Sequence, residues 1–343
     1  MRIIARLTLF GIIILGFTGQ SQEPQPVGES EPDAGQWETR LGQIKLAGWL
    51  DLLYQDDSEN RHSFKLNHFY LYTDIIINQK WRGFAEVEFE NEPNNIGEEP
   101  ERDIFLERAY IEYKRNNAFI WRVGKFITPA GIWKPQHWAV TVDTIQKPIM
   151  EDNLYIPTKS VGLQFLGNKV SKVGDLNYSA IFTSGGEASS SDFRLNKARG
   201  LGTDFNYAYG DRFMLGFSYY RYEQLANKEE DTDAKLGYAE FFIVKNKLLL
   251  RTEVLAVKRD FIPDIRTFYA KIKWQITPRF YLNYRYDFGD DERRAEGRDH
   301  GVNSFTVGYW PHQKVRFKAE YLRHSFQQRE GLHQWSLWMG LVY

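Results

Sequence analysis

One pattern runs along nearly the whole chain: apolar and polar residues alternate with a period of two. This period predicts β-strands that have one apolar and one polar face. Sixteen such segments follow one another, at residues 43–54, 64–77, 81–91, 103–115, 118–127, 159–167, 174–184, 198–209, 212–223, 233–244, 246–258, 264–276, 279–288, 301–310, 314–325 and 332–343. We therefore predict an all-β fold.

The last segment, GLHQWSLWMGLVY (331–343), ends without a polar tail. Leu337, Met339, Leu341 and Tyr343 share one face of this strand. A chain end of this kind is ordered only where the strand is held in a sheet. Taken alone, the segment fits either the last strand of a soluble β-sandwich or the strand that closes a barrel.

The connections between the segments separate these two folds. Short turns, such as Asn116-Asn117 and Gly210-Asp211, alternate with long polar links such as EPNNIGEEPERD and GDDERRAEGRDH. A barrel that crosses a membrane has tight turns at one rim and long loops at the other. The link at 167–173 is an exception, because it is of middling length where a short turn is expected.

The strand faces also favour a membrane barrel. Segment 279–288 places Phe280, Leu282 and Tyr284 on one face, and Arg285 and Asp287 on the other. Lipid would cover the apolar face, and the charged face would line water. Aromatic residues near strand ends fit the girdles at the membrane interfaces: Trp49, Trp81, Trp121, Trp274 and Tyr309. Residues 41–343 are therefore predicted to form a 16-stranded antiparallel transmembrane β-barrel.

The N-terminus predicts export. Arg2 and Arg6 precede an apolar run from Leu7 to Phe17, and small and polar residues follow. This arrangement is typical of a secretory signal peptide, which we assign to residues 1–21. Residues 22–40 are rich in Pro, Glu, Gln and Gly and are predicted to be a flexible periplasmic segment. A barrel with this leader and a terminal aromatic residue is expected in a Gram-negative outer membrane.

Composition excludes several classes of function. The 44 basic and 45 acidic residues are balanced, which argues against a nucleic-acid partner. There is no cysteine, so thiolate metal sites and cysteine nucleophiles are excluded. The 7 histidines are scattered and no GxSxG sequence occurs, so neither a metal site, a cofactor site nor a hydrolase triad is indicated. We predict that the chain is not an enzyme.

A barrel of this size has a lumen that wall side chains alone cannot fill. The third extracellular loop, residues 128–158, is long, and carries Ile132, Trp133, Trp138 and Val140. A loop that is both long and apolar is expected to pack against other parts of the protein. We predict that it folds inward and narrows the pore; the alternative is an external flap packed on other loops.

Charged residues at inward positions are the candidates for the pore lining. One wall is basic, with Arg251, Lys271, Lys273, Arg285, Lys314, Arg316 and Lys318. The early strands are balanced or slightly acidic, with Arg108, Arg122, Glu86, Glu88 and Glu112 among the candidates. Lys125 and, in the long loop, Lys134 complete the set. Opposed walls of this kind create a transverse field across a constriction.

Part of the sequence resembles a known family. The stretch from Phe105 to Trp138 contains Arg-Ala-Tyr-Ile (108–111), Arg-Val-Gly-Lys-Phe (122–126), Pro129 and Gly131, and it resembles the phosphate-selective porin O and P family of Gram-negative outer membranes. The resemblance implies a 16-stranded barrel, commonly trimeric, in which basic residues guide anions. The long loop departs from a phosphate site, because its lysines are offset by Asp143, Glu151 and Asp152.

We therefore predict an outer-membrane porin for the passive diffusion of small hydrophilic solutes and ions, with a weak preference for anions. The alternatives are a specific channel for phosphate, phosphorylated compounds or sugars, and a purely structural barrel that does not conduct. In the phosphate channel, Arg108, Arg122, Lys125 and the basic wall would form the binding path. The expected partners are membrane lipid, lipopolysaccharide and two further copies of the chain in a homotrimer.

Overall fold

The computed structural model describes residues 36–39, 42–59, 61–92, 101–136, 138–152, 156–186, 199–224, 230–244, 247–259, 264–290, 299–327 and 330–343. The predicted signal peptide (1–21) lies outside these residues. So do most of the predicted N-terminal segment and much of the long loops, including residues 93–100, 187–198 and 291–298.

Seventeen strands are present in the described part of the chain. They are β1 (Gln36–Thr39), β2 (Gly42–Asp57), β3 (His62–Ile76), β4 (Trp81–Glu92), β5 (Glu101–Asn116), β6 (Phe119–Ile127), β7 (Lys159–Ser171), β8 (Gly174–Gly186), β9 (Gly200–Tyr209), β10 (Phe213–Gln224), β11 (Glu230–Val244), β12 (Leu248–Arg259), β13 (Ile265–Thr277), β14 (Phe280–Asp290), β15 (Asp299–His312), β16 (Val315–Phe326) and β17 (His333–Val342).

Strands β2 to β17 form a closed antiparallel barrel. Each strand pairs with its neighbours in the chain, and β17 pairs with β2 from Gln334↔Asp57 to Val342↔Trp49. Closure leaves no long strand edge unpaired. The predicted 16-stranded antiparallel barrel is confirmed, and the C-terminal strand is the one that closes it.

Two details differ from the sequence prediction. Strand β1 pairs with the start of β2, from Gln36↔Lys45 to Thr39↔Gly42, so the prediction of a flexible segment is wrong for residues 36–39. The physical reason is that β17 does not reach the first residues of β2, whose edge β1 covers. Strand β7 continues to Ser171, so the middling link predicted at 167–173 is a tight turn instead.

The two faces of the barrel have opposite chemistry. On the outer face Leu337 is 56% exposed and Val254 53%, whereas on the inner face Tyr281 is 0% and Arg285 1% exposed. At the tight-turn rim Trp81 and Trp121 meet on the outer face with ring centroids 5.5 Å apart. The prediction for Trp49 is wrong: it is buried on the inner face and stacks on Tyr70 at 4.4 Å.

The segment between β6 and β7 contains a short 3₁₀ helix (Lys134–Gln136) and one turn of α-helix, α1 (Ile149–Asp152). Ile149 packs with Val302 and Leu322, both on the barrel wall. No helix in the described ranges is long and apolar enough to span a bilayer.

Candidate functional site

The segment that joins β6 to β7, residues 128–158, comes very close to the wall at a glycine, just after the Pro129 carbonyl accepts the Tyr220 hydroxyl of β10. Gly131 has a φ of 67°, and a Cβ at this position would lie 2.0 Å from Oε2 of Glu253 and 2.6 Å from Cδ2 of Leu236. Only glycine combines this backbone conformation with so close an approach. The amide of Gly131 donates to Oγ of Ser218 at 3.0 Å, which fixes the start of the segment against β10.

Glu253 on β12 holds the next two residues. Its carboxylate accepts the backbone N–H groups of Ile132 at 3.0 Å and Trp133 at 2.8 Å. The hydroxyl of Tyr269 donates to the same carboxylate at 2.5 Å. Two backbone N–H groups and one hydroxyl therefore hold this buried carboxyl group, which anchors the start of the segment to β12.

Asp143 provides the second anchor, opposite β13. Lys271 and Lys273 donate to its two carboxylate oxygens at 2.8 and 2.6 Å, and the hydroxyl of Tyr281 donates to its backbone carbonyl at 3.0 Å. Burial alone raises the pKa of Asp143, but the two ammonium groups outweigh burial and hold the pKa well below its ordinary range. Asp143 is therefore ionised and attached to two wall cations.

Arg285 on β14 is the third anchor. Its guanidinium donates to Oγ1 of Thr144 at 2.9 Å and to the carbonyl oxygens of Gln146 at 2.8 Å and Lys147 at 3.1 Å. Its Nε donates to Asp287 at 2.8 Å. The planar guanidinium thus binds backbone carbonyls of the segment, and the Asp287 carboxylate on the wall balances its charge.

Strand β16 completes the attachment through cationic donors and one carboxylate acceptor. Arg316 donates to the carbonyl of Val140, and Lys318 donates to the carbonyls of Ala139 and Thr144. Glu320 accepts the backbone N–H groups of Ile145 at 3.0 Å and Gln146 at 2.7 Å. Residues 139–147 are consequently bonded to β14 and β16 through their backbone, and to β13 through the Asp143 carboxylate.

The same segment also reaches the opposite wall. Trp138 stacks on Tyr72 of β3 with ring centroids 5.8 Å apart, and the guanidinium of Arg108 lies 4.8 Å from the Trp138 ring. Trp138 is 5% exposed. The segment therefore contacts inner-face residues on both sides of the barrel.

On that opposite wall the charged residues pair with one another across adjacent strands. Arg82 of β4 binds Asp74 of β3 at 2.6 Å, and Arg122 of β6 binds Glu112 of β5 at 2.6 Å. A third cross-strand ion pair joins Arg108 of β5 to Glu86 of β4. Each of these three pairs joins two wall strands, and Arg108 in addition contacts Trp138 of the long segment.

Three further predicted candidates are buried inside the barrel: Arg251, Lys134 and Glu88. Arg251 binds Glu240 at 2.6 Å and Oε1 of Gln136 at 2.7 Å, and so joins the wall that holds the segment. Lys134 is buried and pairs with Glu151 at 2.6 Å, within the segment itself. Glu88 is buried on the inner face, 3.7 Å from Nε2 of His68.

Two of the predicted candidates are not on the inner face. Lys314 is exposed in the turn before β16, because the strand begins one residue later, at Val315. Lys125 alternates with the buried Arg122 and Phe126 by strand parity, so it falls on the side of Val123, which is exposed. It is half-buried and close enough to Glu107 for an electrostatic interaction. The predictions for Lys314 and Lys125 as wall residues are wrong.

Three residues that matter to this arrangement were absent from the candidates. In the sequence, Glu253 and Glu320 stand out only as acidic residues on strands whose other charged residues are mostly basic. Gly131 stands out only because it is part of the stretch that resembles a known family. Alternation places both carboxylates inward, but their partners are backbone N–H groups more than a hundred residues away. No local signal in the sequence identifies such partners.

Comparison by sequence finds one relative and no family. No family model matches the chain. An uncharacterized protein from Aquifex aeolicus is 21% identical over 346 residues, which cover 84% of this chain and 77% of the relative. This identity is too low to assign the chain to a family.

Comparison by structure finds outer-membrane barrels. The outer membrane channel DcaP of Acinetobacter baumannii aligns with a TM-score of 0.62 at 11% identity, covering 90% of this chain and 100% of its own. The anion-selective porin from Comamonas acidovorans aligns with a TM-score of 0.58 at 12% identity, covering 88% and 99%. The trimer form of OmpT from Vibrio cholerae aligns with a TM-score of 0.58 at 10% identity, also covering 88% and 99%. At these identities the likeness establishes the 16-stranded porin fold.

Proposed function

We propose that this chain is a porin of the Gram-negative outer membrane, which lets small hydrophilic solutes and ions diffuse through a narrowed lumen. The observation that carries the proposal is the segment 128–158, which is bonded along its backbone to the charged inner face of a closed barrel. A water-lined interior beneath an apolar exterior suits a channel through lipid.

The outer face supports the membrane location. Large apolar side chains such as Phe305, Leu337 and Val254 are about half exposed, and the part of the chain that the structure describes contains no second sheet to cover them. The aromatic cluster of Trp81, Tyr113 and Trp121 lies at the tight-turn rim, where an interfacial girdle is expected. We propose that lipid, with lipopolysaccharide in the outer leaflet, covers this face.

The inward segment is the proposed constriction. It corresponds to the third long loop of the barrel, and it approaches the wall through Pro129 and Gly131, the residues that carry part of the resemblance to the phosphate-selective O and P family. That resemblance supports the barrel and its loop more than it supports phosphate as the solute, since no family model matches.

The charges favour a general channel over a phosphate-specific one. Six of the seven basic residues expected on one wall are bonded to the segment or to carboxylates: Arg251, Lys271, Lys273, Arg285, Arg316 and Lys318. A phosphate site would need such donors directed at the passage. We therefore propose that these cations position the constriction and that any anion preference is weak.

A homotrimer is the proposed assembly, in line with the trimer form of the OmpT structure. Closed symmetric association is common for proteins that share one repeated contact surface. The exposed apolar residues of the outer face offer such a surface.

The test is single-channel recording of the refolded full chain in a planar lipid bilayer. We expect discrete conductance steps that rise in proportion to KCl concentration and do not change when phosphate is titrated. A small anion-selective conductance blocked by phosphate would favour the specific channel. A protein that inserts, as shown by protease protection of its strands, but never conducts would overturn the porin proposal in favour of a structural barrel.

A further inference from the structure

The tight-turn rim of the barrel carries a repeated positive charge. Seven tight turns join strands there, at residues 77–80, 117–118, 172–173, 210–212, 245–247, 278–279 and 313–314. Six of these turns contain lysine or arginine, and Asp211 is the one carboxylate in their sequences. Links on the other rim carry both signs: residues 291–298 read DERRAEGR, with three acidic and three basic residues. The positive bias therefore belongs to the tight-turn rim.

Five of the rim cations occupy one equivalent position. Each directly precedes a strand, and its backbone carbonyl accepts an N–H group from the next strand of the sheet; they are Lys80, Arg212, Lys247, Arg279 and Lys314. The N···O distances of these bonds lie between 2.7 and 2.9 Å. Four of the five precede β10, β12, β14 and β16, so neighbouring members are two strands, or about 10 Å, apart. The backbone thus holds the five cations in a row along the rim.

The side chains of these five residues are exposed. Within the part of the chain that the structure describes, none of the five forms an ion pair. The inner face differs, because cations such as Arg122 and Lys271 bind carboxylates there. Cations that are ordered at their backbone but have no described carboxylate partner can bind an anionic surface outside the protein.

The rim cations lie beside aromatic residues of the outer face. Lys80 directly precedes Trp81, which meets Trp121 in the aromatic cluster. The guanidinium of Arg212 lies 5.6 Å from the ring centroid of Tyr209, a residue that is 39% exposed. Aromatic girdles mark the level at which the hydrocarbon of a bilayer meets its headgroups. The cations are therefore at headgroup level, on the side that the tight turns face, which is the periplasmic side of an outer-membrane barrel.

We propose that the tight-turn rim is a docking surface for the acidic phospholipids of the periplasmic leaflet, whose phosphodiester groups bind its lysines and arginines. Cations at headgroup level are attracted to an anionic bilayer surface, and each adds to the attraction. Ammonium and guanidinium groups both donate to phosphate oxygens. This inference rests on the proposed outer-membrane location and names the class of lipid that the rim selects.

The experiment uses the refolded full chain in phosphatidylcholine vesicles that contain a trace of spin-labelled phosphatidylglycerol or spin-labelled phosphatidylcholine. Electron paramagnetic resonance measures the association of each label with the barrel. At about 0.01 M KCl, where the Debye length is about 30 Å, wild type should bind the phosphatidylglycerol label several-fold more strongly. At about 1 M KCl the Debye length is about 3 Å, and the preference should fall towards unity.

The variant that tests the rim replaces three of its cations together: Arg212→Gln, Lys247→Gln and Arg279→Gln. It should reduce the preference for phosphatidylglycerol at least about twofold at low salt. The matched control keeps the charges, with Arg212→Lys, Lys247→Arg and Arg279→Lys, and should retain the preference. An undiminished preference in the neutralised variant would overturn the inference. If that variant does not fold, a wild-type preference that persists at about 1 M KCl overturns it equally.

Wild type that binds both labels equally would also overturn the inference. Co-sedimentation of that protein with isolated peptidoglycan would then assign the rim to the cell wall instead. A chain that does not insert into vesicles would overturn the proposed membrane location. A chain that inserts and selects phosphatidylglycerol but never conducts would overturn the porin proposal alone and leave the lipid selection standing.

Discussion

The two walls of the barrel interior carry the same residue types but use them differently. On the β3–β6 wall, Arg82, Arg108 and Arg122 each bind a carboxylate of the adjacent strand. On the β12–β16 wall, Lys271, Lys273 and Arg285 bind residues of the inward segment. A cation at an inward position can therefore serve as wall structure or as an attachment for a loop, and strand alternation alone does not distinguish these roles.

The difference has an energetic consequence. A buried pair that loses one partner leaves an uncompensated charge, which costs about 3 to 5 kcal/mol. On the β3–β6 wall, where each arginine binds a carboxylate of the adjacent strand, that cost falls mainly on the barrel. On the β12–β16 wall it falls on the barrel and on the position of the proposed constriction together. Variants on the two walls should therefore separate effects on stability from effects on conductance.

The largest effect is expected for Asp143→Asn. It leaves the buried ammonium groups of Lys271 and Lys273 without their shared carboxylate. We expect the free energy of unfolding in lipid vesicles to fall by about 3 to 5 kcal/mol. Single-channel traces should also show a larger and noisier conductance, because residues 139–147 lose their central attachment.

Glu112→Gln is the control for this experiment. It removes a buried ion pair with Arg122, at 2.6 Å, that joins two wall strands and does not join the wall to the inward segment. Its unfolding free energy should fall by a similar amount while its conductance stays that of wild type. Equal conductance changes in Glu112→Gln and Asp143→Asn would contradict the division of roles between the walls.

The next largest effect is expected for Gly131→Ala. The added Cβ would overlap Glu253. The alanine would also have to adopt a left-handed backbone conformation, which strains the chain by about 1 to 3 kcal/mol. The start of the segment should move away from β12 and widen the channel. Gly237→Ala on β11 is the matched control, because a Cβ there meets nothing within 4 Å. Single-channel conductance is measured for both variants. Equal conductances would exclude a role for the close approach of Gly131 to the wall.

The fold was largely predictable from the sequence, because alternation and link length are local properties. The strand boundaries of β8, β13 and β17 lie within about three residues of their predicted positions, as pattern reasoning allows. Lys314 was misplaced by a boundary error of one residue. Trp49 was misplaced because it lies in the middle of β2, on the same face as Asp51, where alternation points it into the lumen. The pairing of Asp143 with Lys271 and Lys273 was beyond prediction, since it joins residues about 130 positions apart inside the lumen.

A smaller effect is expected for the exposed member of the predicted basic set. Lys314→Gln removes a charge from a solvated turn, so the unfolding free energy should change by less than about 0.5 kcal/mol. Lys318→Gln is its counterpart on the wall: it removes the donor to the carbonyls of Ala139 and Thr144. The conductance of Lys318→Gln should therefore differ from wild type and that of Lys314→Gln should not, in the same bilayer recording. A conductance change for Lys314→Gln as large as that for Lys318→Gln would place Lys314 at the constriction after all.

The smallest effect is expected from acidification of the wild-type channel. The ordinary pKa of an aspartate is 3.8, and Lys271 and Lys273 hold that of Asp143 below it despite burial. A carboxyl group whose pKa is depressed by folding contributes stability above its unfolded pKa and loses that contribution only as the pH falls through the folded pKa. The attachment at Asp143 should therefore persist from about pH 8 to about pH 4.5, and its loss should begin below pH 3.8.

Single-channel conductance recorded over this range should stay constant in wild type, and Asp143→Asn should show its larger conductance at every pH. If wild type takes on the conductance of Asp143→Asn between about pH 5 and pH 7, then Lys271 and Lys273 do not hold the Asp143 carboxylate. The β12–β16 wall would then not attach the inward segment through this ion pair.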